Sequence, residues 1–151
     1  MKKKDAAAQC FVDIFLCSQA IFSTYAPELG LDSDRAKKIA CCFGSGISYC
    51  DQTCGAVTGD LMLIGLKHSK AEQNDNAAKD LSYDLAQQFV THFKEKHGSI
   101  RCTDLIGCDL SDPGELQKAK DEQLFTSICR NLVHSAAEII EDLLALNPET
   151  Q

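Results

Sequence analysis

Apolar residues return every three or four positions along nearly the whole chain, and the strict alternation of a strand is almost absent. A chain with that period can bury its apolar stripe only by coiling into helices that pack on one another. The sequence is therefore read as an all-α protein, a single-domain bundle over residues 1–151 with about five helices and a buried central one. The 44% hydrophobic content of 151 residues is enough to fill one such core, and the 25% charged content is ordinary for a globular domain.

The pattern predicts a first helix from about Asp5 to Tyr25, stopped by Pro27, with Cys10, Ile14, Cys17 and Ile21 on one stripe and Phe11, Phe15, Phe22 and Tyr25 beside it. A second starts at an N-cap, Asp32 or Ser33, carries Arg35 to Cys42, and ends at Phe43-Gly44-Ser45-Gly46. A loop with Tyr49, Cys50 and Asp51 follows. The third begins at Thr53-Cys54-Gly55-Ala56 and runs to about Lys67; its apolar run from Leu61 to Leu66 marks it as the central helix. The fourth, about Ala78 to Lys96, sets Leu81, Leu85, Phe89 and Phe93 on one face and stops at Gly98. A short segment with Cys102 and Cys108 breaks at Asp112-Pro113-Gly114. The last helix spans about Glu115 to Leu146, with Phe125, Cys129, Leu132, Ala136, Ile139 and Leu143 on one seam.

The formal net charge is −7, and the basic residues form no face beyond Lys2-Lys3-Lys4, which excludes a nucleic-acid binder that must displace counterions from phosphates. The longest apolar run, Leu61 to Leu66, is too short to span a bilayer, so no membrane is expected. The N-terminus has the lysines and small residues of a signal peptide, but Gln9 and Asp13 interrupt its apolar stretch. The expected address is cytoplasmic, where thiols stay reduced and many cysteines signal metal binding or redox chemistry rather than a disulfide scaffold.

There are nine cysteines: Cys10, Cys17, Cys41, Cys42, Cys50, Cys54, Cys102, Cys108 and Cys129. Cys54 is the most informative. With Thr53 as N-cap it would lie in a first helical turn, whose free N–H groups and dipole favour a thiolate, the form that ligates metals and attacks disulfides. Gly55 and Gly59, one turn apart, strip side chains from the adjacent face; either a second backbone or an inorganic group could then approach. Cys17 and Cys129, on apolar faces, each read singly as a small hydrophobe. Cys102 lies between helices, where a ligating role is easier to reach. Cys50 could join Cys54 only if its loop folds back, and Cys10, Cys41, Cys42 and Cys108 read as structural. No C-x-x-C, no haem-attachment C-x-x-C-H and no phosphate-binding glycine loop is present, and the histidines His68, His92, His97 and His134 are scattered.

The stretch Phe43-Gly44-Ser45-Gly46, followed by Cys54-Gly55-Ala56-Val57-Thr58-Gly59, resembles the C-GCAxxG-C-C family of redox-active proteins. The similarity runs from about Phe15 to Leu144. By that resemblance Cys17 is the first of four family cysteines, Cys54 the motif cysteine, Cys102 the third and Cys129 the fourth. Ser45 stands where the family usually has a glycine, and Cys50 and the Cys41-Cys42 pair are additional. A related domain occurs in split-Soret cytochromes, which carry a non-haem iron–sulfur cluster besides haem. The resemblance implies an electron-transfer or redox protein, an electron carrier or oxidoreductase. In it Cys17, Cys54, Cys102 and Cys129 hold an iron–sulfur cluster, most simply [2Fe–2S], with Gly55 and Gly59 clearing space for it. Two alternatives stay open: a thiol–disulfide protein with Cys54 as nucleophile and Cys102 or Cys50 resolving, and a structural zinc domain held by the same four cysteines. A redox partner protein is implied but not identified, and the apolar helix faces would also permit a homodimer.

Overall fold

The computed structural model describes residues 1–14, 16–72 and 74–150. Its helices are α1 (Lys3–Ile14), α2 (Cys17–Tyr25), α3 (Ser33–Ala40), α4 (Gly55–His68), α5 (Asn76–His97), α6 (Cys102–Ile106), α7 (Pro113–Asp121) and α8 (Arg130–Leu144), with no named strand among the described residues. The all-α expectation holds. Short 3-10 turns follow α2 and α3, at Ala26–Leu29 and Cys41–Phe43.

Several helix ends carry recognisable capping chemistry. Asp32 caps α3 by accepting from the N–H of Arg35 at 2.9 Å, and Asp75 caps α5 through Ala78 at 3.0 Å. Asp112 accepts from Gly114 and Glu115, with Pro113 at the first helical position of α7. Gly98 ends α5 in the left-handed region at φ 85°.

Two predicted long helices are each broken. The first divides between α1 and α2, with Leu16 extended (φ −127°, ψ 108°) as the residue before α2; Phe15 lies outside the described residues. The break lets α2 fold back onto α1, and it moves Cys17 from mid-helix to a helix start. The last divides at Gln123, which is left-handed at φ 54°, and resumes through a π-helical turn, Phe125–Cys129, that runs into α8. A π turn inserts an extra residue into the helical ladder and rotates the residues beyond it, a distortion that recurs at functional sites.

The core joins Phe11 of α1, Ile21 and Tyr25 of α2, Val57, Leu63 and Ile64 of α4, Phe89 and Phe93 of α5, and Val133 and Ile140 of α8, all essentially inaccessible. Helix α4 is central as expected, though its packing face is Ala56, Val57, Leu63 and Ile64, while Leu61, Met62 and Leu66 are only half-buried. Among the described residues no helix is long and apolar enough to cross a membrane.

Candidate functional site: four buried thiols at converging helix ends

Glycine brings the site together. A Cβ on Gly55 would lie 2.9 Å from the Ser18 nitrogen, 3.0 Å from the Cys17 Cβ and 3.0 Å from the Gly44 Cα. A Cβ on Gly59 would meet Ile21 and the Ser18 carbonyl at 3.0 to 3.1 Å. Both motif glycines therefore press α4 directly against the α2 backbone, which is the close-packing alternative of the two readings. Gly55 also lines the thiol cavity, whereas Gly59 does not. The buried hydroxyl of Ser18 donates to the Ala40 carbonyl at 2.7 Å and ties the same corner to α3.

The contact between α2 and α4 sets Cys17, the first residue of α2, beside Cys54. Cys54 is itself the N-cap of α4, so the helix starts later than a Thr53 cap would place it. The third cysteine is held by backbone pairing. The Cys54 N–H donates to the Ile100 carbonyl at 2.8 Å, and the Cys102 N–H donates to the Gln52 carbonyl at 2.9 Å, on either side of an antiparallel bridge between Thr53 and Arg101. Asp51 anchors this clasp from outside, accepting from both Arg101 and Thr103. Cys102 is the first residue of α6, and Cys129 comes from the last position of the π turn.

Cys17, Cys54, Cys102 and Cys129 consequently line one cavity of about 10 Å³, closed by Phe11, Leu105, Ile106, Leu110, Phe125 and Leu132. That volume has room for about one water molecule, so a larger group is admitted only by turning the thiol side chains outward. All four are buried, and none is in a disulfide. The Cys17 thiol is close enough to those of Cys129 and Cys54 to interact with both. Among the described residues no three His, Cys, Asp or Glu side chains surround one point as ligands of a single ion do. The four thiols share one cavity wall without that arrangement.

No basic side chain lines the cavity. Cys54 is pushed well above the usual thiol range by its hydrogen bond with Cys17 and by burial, while the amides of Ala56 and Val57 at the start of α4 pull the other way without forming a well-made cap bond. Cys17 is raised by Cys129 and by burial, partly offset by Cys54. Burial, helped by the charges of Cys54 and Asp51, pushes Cys102 up to about 12. The surroundings of Cys54 thus push its pKa in the direction opposite to that of a low-pKa nucleophile, and Cys17 and Cys102 are shifted the same way. The N-terminus of α4 still offers the N–H groups of Ala56 and Val57 to the Cys54 sulfur, a placement worth about 0.3–1 kcal/mol to an anion there.

The remaining cysteines stand apart. Cys50, Cys41 and Cys42 are exposed, the last two contrary to a structural role; Cys10 is half-buried and Cys108 is buried outside the cavity wall. Two features escaped the sequence pattern. Residues Ser45, Gly46, Ile47, Ser48 and Tyr49 form a turn wound left-handed, with φ between 55° and 65°, and its Ser45 and Gly46 line the cavity. A Cβ on Gly46 would sit 2.9 Å from the Cys102 Cβ. Outside the cavity lies a surface groove of about 480 Å³ bounded by Tyr49, Lys120, Gln123 and Thr126, and it shares Ser45 and Phe125 with the cavity wall. The Ser45-Gly46 pair was visible as part of a glycine-rich loop; its handedness was not.

Four cysteines from distant parts of the chain thus line one buried cavity, the feature of a cysteine-centred protein. The family model described as "Putative redox-active protein (C_GCAxxG_C_C)" matches residues 15–143, and the chain belongs to that family. Neither a curated protein nor a solved structure matches it.

Proposed function

We propose that the protein is an electron carrier whose four family cysteines, Cys17, Cys54, Cys102 and Cys129, hold an iron–sulfur cluster, [2Fe–2S] in its simplest form. The observation that carries this reading is the convergence of four buried, unbonded thiols on one cavity that lacks a basic side chain but is lined by the first residue of α2 and the N-cap of α4. Such thiols give up their protons to a metal cation more readily than to solvent, because the cation supplies the positive charge that the cavity lacks. The donor set fits in kind: thiolate sulfur is what iron–sulfur centres take. When bound, the cluster would supply one-electron chemistry. The chain's own part is to exclude water with Phe11, Leu105, Phe125 and Leu132 and to offer the α4 amides to Cys54, which together set the potential. The groove beyond Ser45 and Phe125 is where a partner protein would come within electron-transfer range.

Protein purified without oxygen should be brown and contain iron and acid-labile sulfide in stoichiometric amount. Serine at any one of Cys17, Cys54, Cys102 or Cys129 should lower the iron content several-fold, while Cys41→Ser, Cys42→Ser and Cys50→Ser leave it unchanged. Colourless protein with stoichiometric zinc would replace this reading with the structural zinc site. The closeness of Cys17 to both Cys54 and Cys129 favours, as a second reading, a buried dithiol; colourless, metal-free protein that loses two titratable thiols on mild oxidation would establish it.

A further inference from the structure

Asp60, on the central helix α4, is wholly buried, and neither of its carboxylate oxygens has a hydrogen-bond partner. A buried polar group left unpaired is rare and calls for a reason, because it forfeits its hydration without recovering a bond. Among the described residues its two oxygens are the buried side-chain polar atoms in that condition. The packing of α4 needs no acid there: the neighbouring buried positions are Ala56, Val57, Leu63 and Ile64.

Asp60 does not line the thiol cavity, but it is six residues along α4 from Cys54, about 9 Å along the helix axis. The groups that act on it are few. From its own helix comes Cys54, and from α8 comes Glu141, which is 9% exposed and accepts from the Tyr25 hydroxyl of α2 at 2.6 Å. Beyond Tyr25 lie Glu28 of the following 3-10 turn and Lys3 of α1, paired at 2.9 Å, with the Lys3 ammonium 5.8 Å from the centre of the Tyr25 ring. Helix α5 contributes buried Ala78, Ser82, Phe89 and Phe93, none of which titrates in this range. Glu141 already has a donor in the Tyr25 hydroxyl. Asp60 has none, and it is the group whose charge responds most to a charge arriving nearby.

Resting on the redox reading of the site, we propose that Asp60 takes up a proton when the sulfur centre takes up an electron. The electron comes from a one-electron carrier protein and enters the centre. The proton comes from solvent and forms the O–H bond of the Asp60 carboxyl. Reoxidation releases both, so the buried core carries the same total charge before and after. Burial leaves the added charge almost no other compensation. Through an effective dielectric near 20, one unit charge about 9 Å away changes a proton affinity roughly tenfold or more, upward when the added charge is negative.

The test is the midpoint potential of the purified holoprotein against pH, by mediated redox titration, in wild type and Asp60→Asn, a variant of equal size that cannot titrate. The wild-type potential should fall as pH rises by a total of at least about 59 mV, the one-electron equivalent of a tenfold change. It should be level on either side of that step, and Asp60→Asn should show no step. A redox-difference infrared spectrum of the wild type should show a carboxylic-acid carbonyl band that grows on reduction and moves in heavy water. That measurement decides the matter even if the variant does not fold. Bound iron and sulfide with the same pH profile in both proteins, or with no infrared carboxyl change, overturns the role of Asp60 and leaves the cluster standing. Protein without iron and sulfide overturns both.

Discussion

Gly46 shows how much of the site rests on a single missing methyl group. Its backbone is left-handed at φ 65°, which disfavours any L side chain, and the space where a Cβ would go is taken by the Cβ of Cys102. Gly46→Ala should therefore destabilise the fold by about 1–3 kcal/mol and displace Cys102 from the cavity. Urea unfolding measures the first effect and iron content of anaerobic protein the second. Gly65, on the same helix as the motif glycines, has open space where its Cβ would go, so Gly65→Ala serves as a control that leaves iron content intact.

At the scale of elements, the left-handed turn Ser45–Tyr49 is the least expected feature. Four of its residues, Ser45, Ile47, Ser48 and Tyr49, hold φ of 56°, 58°, 55° and 65° without being glycine. Each such residue costs about 1–2 kcal/mol relative to its preferred conformation. The turn persists because its ends are pinned: the Ser48 N–H donates to the Gly44 carbonyl at 2.9 Å, and the Gln52 N–H donates to the Gly46 carbonyl at 2.9 Å. Tyr49 is exposed and contributes little packing, so Tyr49→Gly should raise stability by about 1 kcal/mol, read as a higher melting temperature with unchanged iron binding. Unchanged or lower stability would mean that the turn is not wound as described. The helices that carry the cysteines behave differently. Cys17 and Cys54 occupy helix starts because the chain breaks or begins there, and the break between α1 and α2 is as much a part of the site as the thiol it delivers.

For the whole molecule, the buried acid makes a prediction about pH that does not depend on any metal. Burial first, then the charges of Cys54 and Glu141, raise the Asp60 carboxyl well above its usual 3.8. The folded state then binds that proton more tightly than the unfolded chain does. Its contribution is complete below pH 3.8 and is lost as pH rises toward the folded-state value, at about 1.4 kcal/mol per pH unit across that interval. Asp60→Asn removes this dependence. In urea unfolding of metal-free protein, the variant should gain stability relative to wild type between about pH 4 and pH 7, above the carboxyl's ordinary range; parallel pH curves would place Asp60 in contact with water or a partner.

The sequence by itself determined the helical class, the cap at Asp32, the stop at Gly98, the break at Asp112-Pro113 and the central place of α4, because these depend on period and on residues a few positions apart. Which cysteines to group came from the family resemblance carried by Cys54, Gly55 and Gly59; spacing alone left Cys17 and Cys129 as small hydrophobes. Only the tertiary structure decided that Gly55 and Gly59 are used up against the α2 backbone, that Cys17 opens a helix and Cys129 closes a π turn, and that Asp60 is sealed in without a partner. Helix breaks and burial are set by contacts from elsewhere in the chain, and one-dimensional periodicity carries no record of which face will meet which neighbour.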